Sequence, residues 1–275
     1  MHKDISSLSL VVIFTVIPLP CTIFSAHTFI LPADRYGHLD THIPDVNYSA
    51  RVSESEQINE GQEYDARDIK RFNDVDDYAR MFIQHLQYGK TFDEQKAFRI
   101  FHETMTWRKQ NKVYDMSTDL FPANYFDRHA IYFQNHDMNN IPLLHYVIRV
   151  FHKGQEDNEA VKRFITYNFE EQIRNHPGQR IVILFDLRET GLSHLDYDLI
   201  KFVVNSLMHY YPGLLAYMLV YKQPFILQAA WKLIKTWLPT ETQNSVKFVD
   251  EKTISQYISL DQLSKDMGGT ANDTP

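Results

Sequence analysis

The sequence has very little cysteine and glycine. These shortages disfavour disulfide-stabilised proteins, zinc-binding domains and glycine-rich nucleotide-binding sites. Cys21 is the only cysteine among 275 residues, so the chain has no internal disulfide framework and no CxxC zinc site. A single cysteine agrees with a reducing compartment. Nine glycines, most of them isolated, leave little material for a backbone nest around a pyrophosphate group.

Positive charge is also in short supply. The chain carries 28 basic and 35 acidic residues, which gives a formal net charge of -7. No overall positive field therefore attracts nucleic acid or anionic membranes. We predict no nucleic-acid partner, and we expect any membrane contact to be local and transient. The sequence does not identify a protein partner.

The sequence lacks the specific signatures of catalysis. It contains no GxSxG elbow, no HExxH, no glycine-rich phosphate loop ending in GK and no GxGxxG. Thirteen histidines are present, but the clustered ones show no helix-face pair at a metal-ligand spacing, so we interpret them as surface or core residues. They are His129, His136, His145 and His152. We predict a non-enzymatic protein with no metal and no cofactor.

Two local patterns resemble catalytic groups but have simpler interpretations. Ser193 and His194 are adjacent, and neighbouring residues rarely form a working nucleophile and base. We expect this segment to cap a helix that starts near Asp196. Asp186 ends an apolar run, and we expect its carboxylate to bond the turn that follows.

The first 64 residues are divided between an apolar leader and a polar linker. Residues 9–16 are apolar, and with the continuation to Ala26 they resemble part of a signal peptide, although prolines interrupt the run. The run is too short and broken for a membrane span, which needs about 20 mostly apolar residues. A signal peptide or weak anchor and a disordered leader both remain open for residues 1–31. Residues 32–64 are predicted to be a linker.

Residues 65–121 are predicted to form a small helical lobe. Apolar residues recur at helical spacing on both sides of a break at residues 89–91, which indicates a helical hairpin. Asp93 is placed to support the start of the second helix, and residues 107–109 (WRK) close it with cations. The recurring residues are Tyr78, Phe82, Ile83, Leu86, Phe98, Phe101 and Met105.

Residues 122–270 are predicted to form an α/β domain with a mixed β-sheet. Strands are indicated at residues 130–133, 143–150, 181–185, 215–221 and 246–249. The first two should form a hairpin, and the third is apolar enough to be buried on both faces. Helices are indicated at residues 157–174, 199–208 and 225–238, which alternate with the later strands. Residues 271–275 are a tail.

Three tracts together carry a resemblance to a known family. Residues 185–191 (FDLRETG), 209–212 (HYYP) and 228–238 (QAAWKLIKTWL) resemble, in this order and spacing, the CRAL-TRIO lipid-binding family. Residues 107–109 resemble part of the family's N-terminal helical lobe, and residues 267–270 (MGGT) its closing motif. The resemblance covers residues 65–270.

The resemblance implies a CRAL-TRIO fold with a hydrophobic pocket between a mixed-sheet floor and a mobile gate helix at residues 225–238. A plain core would show the same apolar residues. Trp237, Lys232 and Lys235 on the gate suit a membrane interface, as they would suit a solvated amphipathic helix. The residues expected to line the pocket are Phe185, Val203, Leu207, Leu219, Tyr221, Phe225, Trp231 and Leu233.

The resemblance also bears on the lipid headgroup. Phosphatidylinositol-transferring members have an acidic residue just after the Tyr-Pro motif and a lysine in the strand after the gate. Lys247 matches the lysine and is the headgroup candidate, whereas Gly213 stands at the acidic position. As a point charge Lys247 would pair with a phosphate, and on a solvated strand face it would have no such role.

The expected function is therefore binding of a hydrophobic lipid, a phospholipid above all, and its transfer between membranes without covalent chemistry. The alternative is a membrane-recruited scaffold or interaction protein with a vestigial pocket. That pocket would either be collapsed, filled by side chains such as Phe225 and Trp231, or hold a permanent structural ligand. The family implies a cytoplasmic protein that associates peripherally with endomembranes, including the endoplasmic reticulum.

Overall fold

Three α-helices open the described part of the chain. A computed structural model describes residues 64–84 and 94–271, with side chains left out at 83, 84, 94–98 and 241. These residues belong to one compact unit, Ile58–Pro275. The predicted leader, the linker up to residue 63, Leu86, the break at 89–91, Asp93 and the tail after 271 lie outside the described residues, and nothing is said of the side chains of Ile83 and Phe98. Tyr64, the last residue of the predicted linker, is described and is buried.

The helical lobe consists of α1 (Ala66–Asp74), α2 (Asp76–Gln84) and α3 (Glu94–Gln110). The side chain of Asp65 caps α1 by accepting a hydrogen bond from the backbone N–H of Arg67. The sequence predicted α2 and α3 but not α1. Helix α1 is largely polar and buries only Asp68 and Phe72, so it shows too little apolar periodicity to be recognised.

Five strands form a mixed sheet in the order β1-β2-β3-β4-β5. Strands β1 and β2 are antiparallel, and the other neighbouring pairs are parallel. This confirms the predicted hairpin and the mixed sheet. The predicted second strand ended at residue 150, but β2 ends at Val147 and the chain turns into a 3₁₀ helix. The strands are β1 (Ile131–His136), β2 (Pro142–Val147), β3 (Ile181–Asp186), β4 (Leu215–Tyr221) and β5 (Val246–Val249).

Helices connect the parallel strands. The connecting helices are α5 (Asn158–Asn175), α6 (Tyr197–Asn205), α7 (Gln228–Ile234) and α8 (Thr240–Asn244), whereas the short helix α4 (Asn124–Asp127) precedes β1. The predicted gate helix is interrupted, since α7 lies between 3₁₀ turns at Phe225–Leu227 and Lys235–Trp237. Further 3₁₀ turns lie at Val113–Asp115, Thr118–Leu120, Ile148–Val150, Leu192–His194, Ile254–Gln256 and Lys265–Met267.

Helix α6 continues into a π-helical turn, Ser206–Tyr210, that contacts the helical lobe. The ring of Tyr210 stacks on Trp107 of α3 with centroids 4.2 Å apart and planes 4° apart. The hydroxyl of Thr104 donates a 2.7 Å hydrogen bond to the carbonyl of His209. The end of α6 is therefore held against α3.

The C-terminal segment, residues 250–271, packs on one face of the sheet. Apolar side chains from β2, β3, β4 and β5 form a buried cluster with four side chains of this segment. The cluster comprises Leu143, Val182, Leu184, Leu219, Tyr221, Val249, Ile254, Ile258, Leu263 and Met267. Since side chains alternate along a strand, the residues between these point to the opposite face.

A buried charge network joins the helical lobe to α5. Glu170 of α5 accepts hydrogen bonds from Arg71 of α1 at 2.9 Å, from Arg108 of α3 at 2.9 and 3.0 Å, and from Arg174 at 3.0 Å. Arg108 also donates to Asp68 at 2.8 Å. Glu170 and Asp68 are both fully buried, so these arginines must balance their charges.

Candidate functional site

A cavity lies between the second face of the sheet and helices α6 and α7. Its volume is about 180 Å³. One buried water needs only roughly 10–15 Å³, so the cavity is many times larger than a void that holds a single water. Voids larger than one water are few in a well-packed interior, which makes this cavity the candidate binding site.

A row of apolar side chains across four strands forms the floor. Tyr146 of β2 pairs with Phe185 of β3, Phe185 with Val220 of β4, and Val220 with Phe248 of β5. All four line the cavity because residues at one register level of a sheet point to the same face. Met218 and Val246 extend the floor one level further along the strands.

Helix α6 forms one wall. Its lining residues recur at helical spacing and are Leu199, Ile200, Val203, Val204 and Leu207. The side chain of Asp196 starts the helix by accepting hydrogen bonds from the backbone N–H groups of Asp198 and Leu199, at 2.9 and 3.3 Å.

The gate segment, residues 225–238, forms the other wall. Its lining residues are Leu227, Ala230, Trp231, Ile234 and Leu238. The Trp231 ring contacts Phe248 edge to face, with centroids 5.1 Å apart, and so touches the floor directly.

Polar side chains gather at one end of the cavity, beyond the carboxyl ends of β2 and β3. His152, Lys153 and His194 line the cavity at this end, and the first two are exposed to solvent. We call these three residues the polar end. The sequence treated His152 as a surface or core residue and His194 as part of a cap. Their positions after two neighbouring parallel strands were the signal that would have brought them together.

Four of the predicted lining residues, Phe185, Val203, Leu207 and Trp231, do line the cavity. Leu219 and Tyr221 do not, because they point to the opposite face and pack against the C-terminal segment. Met218 and Val220 hold the cavity positions of the same strand. The prediction for β4 was therefore wrong by one residue, which places a side chain on the opposite face of the sheet.

The other predicted gate residues also lie outside the cavity. Phe225 is 84% exposed and Leu233 is 46% exposed, so both belong to the outer surface of the gate segment. Trp237 packs at the end of the gate against Tyr197, with ring centroids 5.9 Å apart. The ammonium of Lys201 lies 5.1 Å from the Trp237 ring centroid, as in a cation–π contact.

Lys247 points away from the cavity. It lies between Val246 and Phe248, which both line the cavity, and alternation along β5 turns it to the other face. Its exposed ammonium donates a 2.7 Å hydrogen bond to the carbonyl of Asn244. The structure therefore places this headgroup candidate apart from the cavity lining.

Gly213 fills a position that no side chain fits. Its φ is +74°, and a Cβ there would overlap the backbone carbonyl of Met81 in α2. The close approach of the helical lobe therefore explains why glycine stands where phosphatidylinositol-transferring relatives are expected to have an acidic residue.

Asp186 bonds the turn after β3, as expected. Its carboxylate accepts a 3.1 Å hydrogen bond from the backbone N–H of Arg188 and pairs with the Arg188 and Arg149 side chains, each at 2.6 Å. Burial raises the pKa of Asp186, but these hydrogen bonds outweigh it and leave the pKa below its usual value. Arg188 in turn pairs with Asp266 at 2.7 Å, which fastens the C-terminal segment to this turn.

The described residues contain neither a cluster of metal ligands nor a membrane-spanning helix. No group of three or more histidine, cysteine, aspartate or glutamate side chains there is arranged to hold a metal ion. None of the described helices has the length and apolar character that crossing a bilayer requires.

Comparison with protein families gives a match over more than half of the chain. The family model described as the CRAL/TRIO domain matches residues 127–269. The CRAL-TRIO domain-containing protein C3H8.02 of Schizosaccharomyces pombe is 25% identical over 207 residues, which cover 70% of this chain and 46% of that protein. The phosphatidylinositol transfer protein CSR1 of Eremothecium gossypii is 27% identical over 137 residues, which cover 48% of this chain and 31% of that protein. The chain spans less than half the length of these relatives.

A solved structure shares the fold. The crystal structure of Sfh5 superposes with a TM-score of 0.56 at 15% sequence identity, and the match covers 75% of this chain and 77% of that one. At this identity the likeness concerns the fold alone. Together with the family match it confirms the predicted fold class.

Proposed function

The chain belongs to the CRAL/TRIO domain family, and from that premise we propose that it binds a phospholipid in its cavity and transfers it between membranes. The observation that carries the proposal is an apolar cavity under a helical segment. Each methylene that leaves water for such a cavity gains about 0.8 kcal/mol, so an acyl chain is the ligand that this lining favours. The proposal contains no covalent step.

The outer surface of the gate segment supports a membrane contact. Phe225, Ile226 and Leu233 are 84%, 54% and 46% exposed. Lys232 and Lys235 are exposed on the same segment. Apolar side chains beside flexible cations suit the boundary between acyl chains and headgroups. We propose that this surface docks transiently on cytoplasmic endomembranes, including the endoplasmic reticulum.

The ligand class follows from one relative and is limited by two positions. The name of CSR1 states phosphatidylinositol transfer for that protein, which supports a phospholipid here. Gly213 has no carboxylate and Lys247 lies outside the cavity lining, so neither position supplies an expected inositol-binding group. We therefore propose a phospholipid ligand without assigning it an inositol headgroup.

A finer resemblance stays a proposal. Within the family, the FDLRETG and AAWKLIKTWL tracts followed by MGGT resemble most the CRAL-TRIO part of motile sperm domain-containing protein 2. We propose that the resemblance to this protein holds for its lipid-binding part alone.

The scaffold alternative with a collapsed pocket requires a cavity filled by side chains, and the structure does not favour that form. Phe225 points to solvent, and Trp231 lines the cavity without closing it. If the cavity is vestigial, the purified protein should neither carry a lipid nor take one up from liposomes.

The test is native mass spectrometry of the full chain, followed by extraction and identification of the bound lipid. Val203→Trp places an indole into the cavity from α6 and should abolish lipid binding. Asn205→Trp adds the same side chain on an exposed position of α6 and should bind lipid normally. Wild-type stoichiometry in Val203→Trp, or no lipid in the wild type after incubation with liposomes, would overturn the proposal and leave the scaffold in its place.

A further inference from the structure

We infer that the polar end of the cavity, His152, Lys153 and His194, binds a phosphate group. In the proposed function, on which this inference rests, the phosphate is the one in the phospholipid headgroup. The polar end lies where apolar lining gives way to solvent, which is where the headgroup of a lipid with buried acyl chains must sit.

The two loops that supply these side chains are bound to each other. The backbone N–H of Lys153 donates a 2.9 Å hydrogen bond to the carbonyl of Ser193. The rings of His152 and His194 consequently lie with centroids 4.5 Å apart and planes inclined by 42°. Two imidazoles that are 42 residues apart in sequence are thus held side by side at the same end of the cavity.

His194 is fixed in an orientation that leaves a donor available. Its Nδ1 accepts a 3.0 Å hydrogen bond from the backbone N–H of Gly191. A nitrogen that accepts carries no proton, so the ring proton is on Nε2. Within the described residues no hydrogen bond engages Nε2, and the ring lines the cavity.

The other two side chains add donors without competing partners. Across residues 64–84 and 94–271, neither the His152 ring nor the Lys153 ammonium takes part in a side-chain hydrogen bond or ion pair. An ammonium and two imidazoles are donors that pair with phosphate oxygens.

Two acidic side chains, Glu156 and Asp196, also line the cavity, and both are already engaged by other groups. Glu156 forms a 2.8 Å ion pair with Arg128. Asp196 caps α6 and also accepts a 3.2 Å hydrogen bond from the amide of Asn158. The hydrogen-bonding groups that are still available at this end are therefore donors, which suit an anion.

A matched pair of lipids tests the inference. Dioleoylphosphatidic acid differs from dioleoylglycerol only by its phosphate. The full chain is incubated with an equimolar dispersion of the two, and the bound lipids are quantified by mass spectrometry. We expect a preference of about tenfold or more for the phosphorylated lipid, the effect of one charge-assisted hydrogen bond.

Variants assign the preference to the polar end. His152→Phe, His194→Phe and Lys153→Met keep approximate shape and remove the donors, and each should lower the affinity for dioleoylphosphatidic acid about tenfold without changing that for dioleoylglycerol. Lys247→Met, on the other face, should leave the preference intact. A preference that survives all three polar-end variants overturns the inference.

A second arm separates a lipid phosphate from a free one. Inorganic phosphate is titrated into the protein while the Nε2–H signal of His194 is followed by NMR. Perturbation of that signal by inorganic phosphate together with equal uptake of the two lipids would show a site for free phosphate and overturn the headgroup assignment. Equal uptake without perturbation overturns the phosphate site and leaves lipid binding standing, whereas uptake of neither lipid overturns the proposed function as well.

Discussion

Replacing Glu170 by glutamine should destabilise the protein more than any surface charge change. Glu170 accepts hydrogen bonds from Arg71, Arg108 and Arg174, and Arg108 is itself only 1% exposed. Glu170→Gln keeps the size of the side chain but leaves Asp68 as the carboxylate that pairs with both Arg71 and Arg108.

The magnitude follows from the burial of these charges. Removing one partner of a buried ion pair costs about 3–5 kcal/mol, because the other charge stays desolvated and unpaired. The neighbouring Glu171 is 36% exposed and lies 3.8 Å from Arg174. Glu171→Gln should therefore change the free energy of unfolding by less than about 1 kcal/mol and serves as the matched control.

The same network should make stability depend on pH. Burial raises the pKa of Glu170, but the charges of Arg108, Arg71 and Arg174 outweigh it and lower the pKa from 4.5 to about 2. A carboxylate with a depressed folded-state pKa stabilises the protein above its unfolded pKa and loses this contribution as the pH falls through the folded one. The wild type should lose about 3 kcal/mol from this group between pH 4.5 and 2, and Glu170→Gln should not.

Urea denaturation followed by circular dichroism measures both effects. The free energy of unfolding is compared for the wild type, Glu170→Gln and Glu171→Gln at neutral pH and at steps through the acid range. Equal stability of the two variants at neutral pH would refute the argument from burial. An unchanged gap between the wild type and Glu170→Gln as the pH falls to 2 would refute the assignment of the pH effect to Glu170.

Further predictions concern packing, the sheet face and the gate. Gly213→Ala should lower the free energy of unfolding by more than about 1 kcal/mol in urea denaturation, because its φ is +74° and a Cβ would meet the Met81 carbonyl. Leu219→Ala should cost about 2–5 kcal/mol but leave the lipid found by mass spectrometry unchanged, since Leu219 packs on the face away from the cavity. Phe225→Asp should slow transfer of a fluorescent phospholipid between vesicles while unfolding changes by less than about 0.5 kcal/mol.

Each of these three predictions would be contradicted by a specific result. Wild-type stability of Gly213→Ala would mean that the lobe and the domain approach less closely than described. Loss of lipid from a folded Leu219→Ala protein would place that side chain at the cavity. Undiminished transfer by Phe225→Asp would remove the gate surface from the docking step.

Local sequence patterns predicted the elements of the sheet well. Residues 215–221 are apolar with turn residues on both sides, and β4 has these bounds. The charged helix predicted at residues 157–174 is α5, shifted by one residue, with Asp157 as its cap. These elements depend on short-range features such as apolar runs, capping residues and Pro-Gly breaks, which a single sequence displays.

The face of each strand could not be predicted in the same way. A strand that is buried on both sides shows no alternation of polar and apolar residues, so Leu219 and Val220 look alike in the sequence. Only the C-terminal segment, which covers the face of Leu219, decides that Val220 points into the cavity. The polar end was not predicted from the sequence for a related reason. His152 and His194 are brought together by the pairing of β2 with β3 and not by a local spacing.

The two walls of the cavity differ in mechanical character. Helix α6 is stiff, because Asp196 caps its start and the stack of Tyr210 on Trp107 clamps its end to the helical lobe. The opposite wall is held less firmly, since α7 is only seven residues long and lies between 3₁₀ turns, whose hydrogen-bond geometry is poorer. We therefore expect a bound ligand to displace α7 more readily than α6, so that the helical lobe stays in place while the cavity widens.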